Sequence, residues 1–220
     1  MRYPVFLLGV ALLASARVAV GQIEDAAERA KLPEFKYIPA ATTAELSPTS
    51  DPAGTAPQFS RWMRSQGDNG ARRYSALTQI TKENVRDLAV AWTFRSKDGA
   101  ANTQCTPIVV DGTLYAPTPG RAIVALDAVT GVEKWRRKIE GLANRLQDAV
   151  ARRGLVYWPG DGSHAARLLF GAGDFVYAVD PQTGEFVKEF GGDGRAAIDT
   201  GATAAGAVYK NVFVTTGLNG

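Results

Sequence analysis

Residues 124–131 read Val-Ala-Leu-Asp-Ala-Val-Thr-Gly, and residues 177–184 return as Tyr-Ala-Val-Asp-Pro-Gln-Thr-Gly. Asp and Thr side chains can accept hydrogen bonds from the backbone of a tight turn, and Gly permits the positive φ that such a turn needs. Each copy therefore predicts a strand that runs into a turn. The two copies are 53 positions apart, a spacing typical of propeller blades built from four short strands each.

The chain around this repeat consists of short apolar runs separated by turn residues, which predicts an all-β fold. The expected strands are residues 88–94, 107–110, 113–116, 122–126, 133–139, 155–158, 167–171, 175–179, 186–190 and 208–215. Asp111 and Gly112 form a strong hairpin signal between two of them. Trp135, four residues after Gly131, is expected at the end of a strand, where it can pack over the neighbouring blade.

A single blade cannot bury both of its faces, so blades are stable only when they stack in a ring. About 160 residues at about 50 per blade give about three blades, whereas propellers close with four to eight. The sequence therefore predicts an incomplete propeller, the front piece of a longer protein.

Composition excludes several other classes of protein. The chain has 220 residues, of which 45% are apolar and 21% charged, as in a globular protein that buries a core. The formal net charge is +3, and Arg2 and Arg17 in the first 21 residues supply two of those charges, so nothing indicates a nucleic-acid partner. One Cys and one His exclude a Cys/His zinc site made from this chain alone.

The N-terminus has the pattern of a secretory signal. Arg2 precedes an apolar run over residues 4–14, and Ala19-Val20-Gly21 offers the small residues that a signal peptidase cuts after. The run is too short for a membrane span, although an uncleaved signal anchor remains an alternative. We expect a signal peptide over residues 1–21, export to the periplasm, and no transmembrane segment in the mature chain.

The sequence therefore predicts three segments. Residues 1–21 form the signal, residues 22–59 form an N-terminal helix and a Pro/Ala/Thr-rich extended segment, and residues 60–220 form the partial propeller.

Cys105 is then a lone thiol in an oxidising compartment. It precedes an apolar run, which favours a buried, inert thiol over a reactive one.

Three stretches resemble the pyrroloquinoline-quinone (PQQ) dependent dehydrogenases. Residues 73–80 (Arg-Tyr-Ser-Ala-Leu-Thr-Gln-Ile) are similar to the start of their propeller. Residues 125–135 resemble their tryptophan docking motif, A-x-D-x-x-x-G-x-x-x-W. Residues 153–161 (Arg-Gly-Leu-Val-Tyr-Trp-Pro-Gly-Asp) are close to a stretch that carries a PQQ-contacting arginine.

The resemblance implies an eight-bladed propeller with PQQ and Ca²⁺ in its central channel. Enzymes of this family oxidise alcohols, aldoses or polyols by hydride transfer to PQQ, with Ca²⁺ as Lewis acid. Electrons then pass to a cytochrome c or to ubiquinone. Such an enzyme acts outside the cytoplasm, in agreement with the predicted signal.

Carried over residue by residue, the resemblance assigns three PQQ contacts. Arg153 matches the family's PQQ-contacting arginine, and its fork of donors suits a carboxylate or the quinone oxygens. Gln104 lies where several relatives have a glutamate that touches PQQ, and Thr203 lies where relatives place a PQQ-contacting threonine. For Arg153 the alternative is a surface arginine beside Arg152.

The sequence also departs from the family pattern. The methanol-oxidising branch has a vicinal cysteine pair where this chain has Gln147 and Asp148, and the second repeat has Lys188 where the docking Trp would fall, with Phe190 two residues later. The family's calcium-binding Glu and Asn and its catalytic Asp would come at or beyond Gly220. We therefore assign no catalytic or metal-binding residue here, and we expect the polypeptide alone to be inactive.

A second interpretation of the same repeat is that the chain belongs to a non-catalytic propeller scaffold, which binds partner proteins in the cell envelope. Outer-membrane lipoproteins of that kind need a Cys directly after the signal, whereas residue 22 is Gln. Other catalytic groups find no support. His164 lies among small loop residues without a Ser or Cys partner, and Asp161 and Asp180 belong to turn motifs where Asp has a structural role.

Overall fold

The computed structural model describes Ala27 and residues 61–67, 73, 75, 77–99, 103–142, 149–198 and 201–218. The chain divides into two units, Met1–Ala41 and Thr42–Gly220. In the first unit Ala27 is helical and exposed. The predicted signal peptide lies outside the described residues, and so do Gln147 and Asp148. All the strands below belong to the second unit.

The first sheet is antiparallel, and its strands follow one another in chain order. Its strands are β1 (Arg61–Trp62), β2 (Ile108–Val110), β3 (Thr113–Pro117), β4 (Ala122–Asp127) and β5 (Glu133–Lys138). The turn between β2 and β3 has positive φ at both Asp111 (47°) and Gly112 (73°). These values match the right-handed twist of a two-residue hairpin, so the predicted hairpin is confirmed.

The second sheet repeats this arrangement with four antiparallel strands in chain order. They are β6 (Val156–Trp158), β7 (Arg167–Ala172), β8 (Phe175–Val179) and β9 (Arg195–Ala197). Every residue of β7 is buried, as expected for a central strand covered on both faces. Each sheet therefore has the form of a propeller blade, as the repeat predicts.

A third set of strands follows in two short pairs. β10 (Gly201–Ala202) pairs with β13 (Gly217–Leu218), and β11 (Ala207–Tyr209) pairs with β12 (Val212–Val214). The structure also describes a 3₁₀ turn over Val85–Asp87. No helix among the described residues is long and apolar enough to span a membrane.

Three strand predictions were wrong in detail. Residues 186–190 make one bridge, Phe186 to Val179, before the chain turns. Gly194 lies so close to Phe186 that an added Cβ would come within 2.6 Å of the phenylalanine Cβ, so the chain folds back there. Residues 208–215 form a hairpin, β11 and β12, because Lys210 adopts a left-handed φ of 56°. Residues 88–94 form no strand and pair with no described strand.

The repeated turn has the same hydrogen bonds in both sheets. Asp127 Oδ1 accepts from the backbone N–H of Thr130 at 2.9 Å, and Asp180 Oδ1 accepts from that of Thr183 at 2.9 Å. The N–H of Gly131 donates to the Asp127 carbonyl at 2.8 Å, and Gly184 repeats this bond to Asp180 at 2.8 Å. The Asp residues therefore hold the turns, which is the structural role predicted for Asp180.

Acid should weaken the first turn. The Thr130 backbone N–H, the Thr130 hydroxyl and other donors lower the pKa of Asp127. A carboxyl with a lowered pKa stabilises the fold above its ordinary pKa of about 4, and this stabilisation is lost as pH falls through the lowered value. We expect Asp127→Asn to be less stable than the unsubstituted chain at pH 7, and we expect this difference to be smaller at pH 3. Urea unfolding at both pH values tests this, and an equal difference at both would contradict it.

The two blades are joined by contacts from one sheet to the repeated turn of the next. The indole N–H of Trp135 on β5 donates to the carbonyl of Pro181 at 3.0 Å. Its ring covers Gly184, where an added Cβ would come within 2.6 Å of the ring. Arg137 Nε donates to the Gly184 carbonyl at 2.6 Å. The prediction that Trp135 packs over the neighbouring blade is confirmed.

Tyr115 on β3 reinforces the same junction. Its buried hydroxyl donates to the Pro181 carbonyl at 3.0 Å, and burial raises its pKa to about 12. We expect Tyr115→Phe to lower the free energy of unfolding by about 1 kcal/mol, the usual net value of one hydrogen bond, because Trp135 still satisfies the same carbonyl. Chemical denaturation measures this. A loss above about 3 kcal/mol would show that the hydroxyl does more than hold this bond.

The segment 61–64 joins the first strands of the two blades. Trp62 pairs with Val109 on β2, and Arg64 bridges to Val156 on β6. The N–H of Tyr157 donates to the Met63 carbonyl at 2.8 Å. The residues that follow this segment, Ser65 and Gln66, are thereby held beside the ends of both strands.

Candidate functional site

A cleft of about 1060 Å³ opens where these segments meet. That volume lies at the upper end of the range of small-molecule sites. Its walls come from the 61–67 segment, the approaches to β2 and β6, and the turn after β10. The lining residues are Trp62, Ser65, Gln66, Arg73, Gln104, Thr106, Arg152, Arg153, Thr203, Ala204 and Ala205.

The structure brings together the three residues that the sequence predicted as cofactor contacts. Gln104 precedes β2, Arg153 precedes β6 and Thr203 follows β10, and all three line this cleft. Gln104 and Arg153 are exposed and Thr203 is half-buried. Residues that are far apart in the chain thus line one cleft because each stands beside a strand of a different sheet.

Gly154 allows three segments to meet at the cleft. Its φ is +140°, and an added Cβ would lie 2.9 Å from the Cβ of Ser65 and 3.2 Å from the Cβ of Ala205. Side chains larger than hydrogen would therefore separate the 61–67 segment from the turn after β10. Gly154 follows Arg153 in the stretch 153–161, and its lack of a side chain lets Arg153 lie close to Ser65 and Ala205.

The cleft is strongly cationic. Arg73, Arg152 and Arg153 line it, and no Asp or Glu is among its described lining residues. Hydroxyl and amide groups from Ser65, Gln66, Gln104, Thr106 and Thr203 complete the set of donors. Such a set suits a ligand with several carboxylates or other anionic oxygens.

Sequence reasoning missed Arg73 and Arg152 as members of this site. From the sequence, Arg152 was named only as the neighbour of Arg153, whereas both arginines line the cleft. Arg73 has a left-handed backbone with φ 51°, and its N–H donates to the Gln66 carbonyl at 3.3 Å. The Arg-Arg pair before Gly154 was the available signal for Arg152. Nothing in the local pattern around Arg73 pointed to the cleft.

The residues considered for other chemistry lie elsewhere. Asp161 accepts hydrogen bonds from the backbone N–H groups of Ser163 (3.0 Å) and His164 (2.9 Å), and its pKa is lowered, mainly by the second. The exposed imidazole of His164 is 3.1 Å from the same carboxylate. Asp161 therefore holds a turn, as predicted. Cys105 is half-buried rather than buried as predicted, and burial of its thiol raises its pKa to about 12, as expected for an inert thiol.

A metal centre is not built by the part of the chain that the structure describes. Within residues 61–67, 77–99, 103–142, 149–198 and 201–218, no three His, Cys, Asp or Glu side chains are grouped so that they could hold an ion. Cationic and neutral donors line the cleft, and such donors suit an anionic ligand better than Ca²⁺.

Antiparallel sheets of five and four strands that follow one another along the chain define an incomplete β-propeller, and basic side chains line the cleft beside them. Residues 62–216, well over half of the chain, match the family model described as "PQQ: Glucose/ethanol/alcohol dehydrogenase, beta-propeller domain". The chain belongs to this family. The predicted family and its propeller fold are confirmed, and PQQ is the cofactor for which the family is named.

Two curated relatives agree with this assignment. The glycerol dehydrogenase large subunit of Gluconobacter thailandicus is 29% identical over 78% of this chain and 25% of its own length. The 1-butanol dehydrogenase (cytochrome c) of Thauera butanivorans is 31% identical over 66% and 20%. The crystal structure of a quinohemoprotein alcohol dehydrogenase from Comamonas testosteroni is 29% identical with a TM-score of 0.49, over 59% of this chain and 19% of that one. The chain thus spans a quarter or less of these relatives.

Proposed function

We propose that this chain is part of a PQQ-dependent dehydrogenase that oxidises an alcohol, an aldose or a polyol, and that the cleft described above binds PQQ. The observation that carries the proposal is the meeting of Arg153, Gln104 and Thr203 in one cleft. Each was assigned to PQQ from its place in the sequence alone. A scaffold role does not explain why these three residues line one cleft, because a scaffold requires no cationic cleft.

The donors of the cleft fit the chemistry of PQQ. The cofactor is an ortho-quinone with three carboxylates, and the cleft offers three guanidinium groups together with amide and hydroxyl donors. Arginine forks match carboxylates through two parallel hydrogen bonds. Gln104 and Thr203 are suited to the neutral quinone and ring oxygens, because an amide or a hydroxyl donates without adding charge.

When bound, PQQ supplies a quinone that accepts a hydride from the carbinol carbon of the substrate. The described residues would bind and orient this group: the arginines would offset its charge, and Gly154 lets Ser65 and Ala205 lie close to the arginines. No carboxylate lines the cleft in the described residues, so we assign no proton acceptor to it. In the whole protein we propose Ca²⁺ as the Lewis acid, held by residues other than those described.

The wider setting of the reaction follows the same proposal. Electrons would leave to a cytochrome c or to ubiquinone, and the protein would act in the periplasm after removal of residues 1–21. The relative from Thauera butanivorans is named as a cytochrome c-linked enzyme, which supports a protein acceptor of that class.

Equilibrium titration with PQQ tests the proposal directly. We expect PQQ to quench the fluorescence of Trp62, which lines the cleft, and we expect this quenching to saturate with one PQQ per chain. Trp62→Phe should abolish most of the quenching but retain binding by calorimetry. In the full-length protein, addition of an alcohol to the PQQ-loaded form should reduce an artificial electron acceptor. Absence of saturable PQQ binding would overturn the proposal and favour a protein-binding scaffold.

A further inference from the structure

The arginines of the cleft differ in their partners from an arginine of the blades. The guanidinium of Arg136 on β5 lies 2.6 Å from the carboxylate of Asp98. Arg73, Arg152 and Arg153 line the cleft, and within the part of the chain that the structure describes no Asp or Glu forms an ion pair with any of them. Like charges that share one cleft repel each other, so bound anions stabilise this cluster.

Arg73 reaches the cleft through a backbone conformation that few residues other than glycine adopt. Its φ is 51°, and the structure assigns it to neither a strand nor a turn. Lys210 has a similar φ of 56°, but it reverses the chain between β11 and β12. Backbone strain of this kind is concentrated at functional sites, where the surrounding structure holds it. The conformation of Arg73 therefore indicates a function in the cleft.

The contacts assigned to PQQ do not include Arg73. Those contacts are Arg153, Gln104 and Thr203, whereas Arg73 enters the cleft from a different segment and its N–H donates to the Gln66 carbonyl at 3.3 Å. The cleft volume of about 1060 Å³ lies at the upper end of the range for small-molecule sites. The cleft therefore has room for a second ligand beside a flat cofactor, and Arg73 is available to bind it.

We propose that Arg73 binds a carboxylate of the substrate, so that the substrate is a hydroxy acid rather than a neutral alcohol. This inference rests on the proposed function, because it takes the substrate to bind beside PQQ. The planar guanidinium of Arg73 pairs with a carboxylate through two parallel hydrogen bonds. Ser65 and Gln66 supply further polar groups to the same cleft.

Arg73 determines specificity in this proposal and takes no part in the bond changes. The substrate loses a hydride from its carbinol carbon to the bound quinone, which is thereby reduced by two electrons. The hydroxyl proton of the substrate passes to a base outside the described residues. The carbinol becomes a carbonyl, and the carboxylate on Arg73 is unchanged.

Matched pairs of compounds test this inference in the full-length protein loaded with PQQ and Ca²⁺. The members of each pair differ only in a CH₂OH group that is a carboxylate in the acid: glycerol and glycerate, propylene glycol and lactate, glucitol and gluconate. We expect kcat/KM for at least one acid to exceed that of its neutral partner by about tenfold or more. Rising ionic strength should reduce this preference, because salt screens an exposed arginine.

Variants of Arg73 locate the preference. Arg73→Gln removes the charge and should weaken binding of the preferred acid about tenfold, whereas Arg73→Lys should have an intermediate effect. Calorimetry of the protein loaded with reduced PQQ measures the Kd of the acid without turnover. Lys188→Gln, at an exposed position that does not line the cleft, is the matched control and should leave this Kd within about twofold. Quenching of Trp62 should give the same Kd for PQQ in Arg73→Gln and in the unsubstituted protein.

Several results would contradict the inference. They are a preference for the neutral member of every pair, equal losses for Arg73→Gln and Lys188→Gln, and a loss of PQQ affinity in Arg73→Gln as large as the loss of acid affinity, which would assign Arg73 to the cofactor. Tighter binding of glycerophosphate than of glycerate would show that Arg73 selects a phosphate ester instead. The ionic-strength series requires no variant, so it decides the matter even if Arg73→Gln folds poorly.

Failure of the proposed function gives a different result. Without saturable PQQ binding, or with PQQ bound but no member of any pair oxidised, the proposed function fails together with this inference. Saturable PQQ binding with oxidation of the neutral members alone contradicts only the assignment of Arg73 to a substrate carboxylate.

Discussion

Trp135→Ala should lower the free energy of unfolding by about 3 kcal/mol, the low end of the range for removal of a large packed aromatic side chain, because Trp135 is only partly buried. The substitution removes the ring from Gly184 and the hydrogen bond from Pro181. The Tyr115 hydroxyl still donates to the Pro181 carbonyl in this variant. The junction between the two blades should therefore weaken while each sheet keeps its own ladder of hydrogen bonds.

A double-mutant cycle separates this contact from general destabilisation. Gly184→Ala alone should be destabilising, because its Cβ would meet the Trp135 ring at 2.6 Å and because φ is +71°. In the Trp135→Ala background the steric part of that cost disappears, so the second substitution should cost less than it does alone. Chemical denaturation of the four chains measures this. Additive effects would show that Trp135 and Gly184 do not stabilise the fold through one contact.

Trp135→Phe provides the graded control. Phenylalanine keeps an aromatic ring over Gly184 but donates no hydrogen bond to Pro181, so its cost should lie well below that of alanine. Val129→Ala, at a side chain that is 80% exposed in the first turn, should change stability little. A loss at Val129 equal to that at Trp135 would show that the assay does not report on the junction.

The repeat was enough to predict the blades because its interactions are local. Asp127 accepts hydrogen bonds from the N–H and the hydroxyl of Thr130 within the same turn. The residues that form the turn are therefore neighbours in the sequence, where their pattern can be recognised. Trp135 was predicted for the same reason: it lies four residues after a turn whose position was already known. Its partner Pro181 lies in the equivalent turn of the second copy.

Longer strands were predicted less well because tertiary contacts interrupt them. Residues 208–215 are apolar enough for one strand, but Lys210 takes a left-handed φ and the segment folds into a hairpin. Residues 186–190 are stopped by the close approach of Gly194 to Phe186. In neither case does the hydrophobic pattern state where the chain must reverse.

The cleft was partly predictable for a different reason. Arg153, Gln104 and Thr203 came from a family resemblance, and in the structure all three line the cleft. Arg73 could not be found in this way, since it reaches the cleft from the 61–73 stretch through the backbone bond to Gln66. A residue that joins a site through the path of the main chain leaves no spacing signal in the sequence.

Arg153→Leu should weaken PQQ binding about 30-fold. A hydrogen bond to a charged group contributes about 2 kcal/mol, and each 1.4 kcal/mol corresponds to a tenfold change in Kd. Arg153 is exposed at the mouth of the cleft, so solvent and salt screen part of its attraction. The loss should consequently shrink as ionic strength rises, whereas a purely structural role for the arginine would be insensitive to salt.

Arg153→Lys and Lys188→Leu complete the experiment. Lysine keeps the charge but lacks the planar fork, so its Kd should fall between those of the unsubstituted chain and of Arg153→Leu. Lys188→Leu removes one positive charge from an exposed site that does not line the cleft, and it should leave Kd within about twofold because exposed charges are well screened. Equal losses for Arg153→Leu and Lys188→Leu would mean that only net charge attracts PQQ. A thirtyfold loss confined to Arg153 would locate the cofactor at the start of β6.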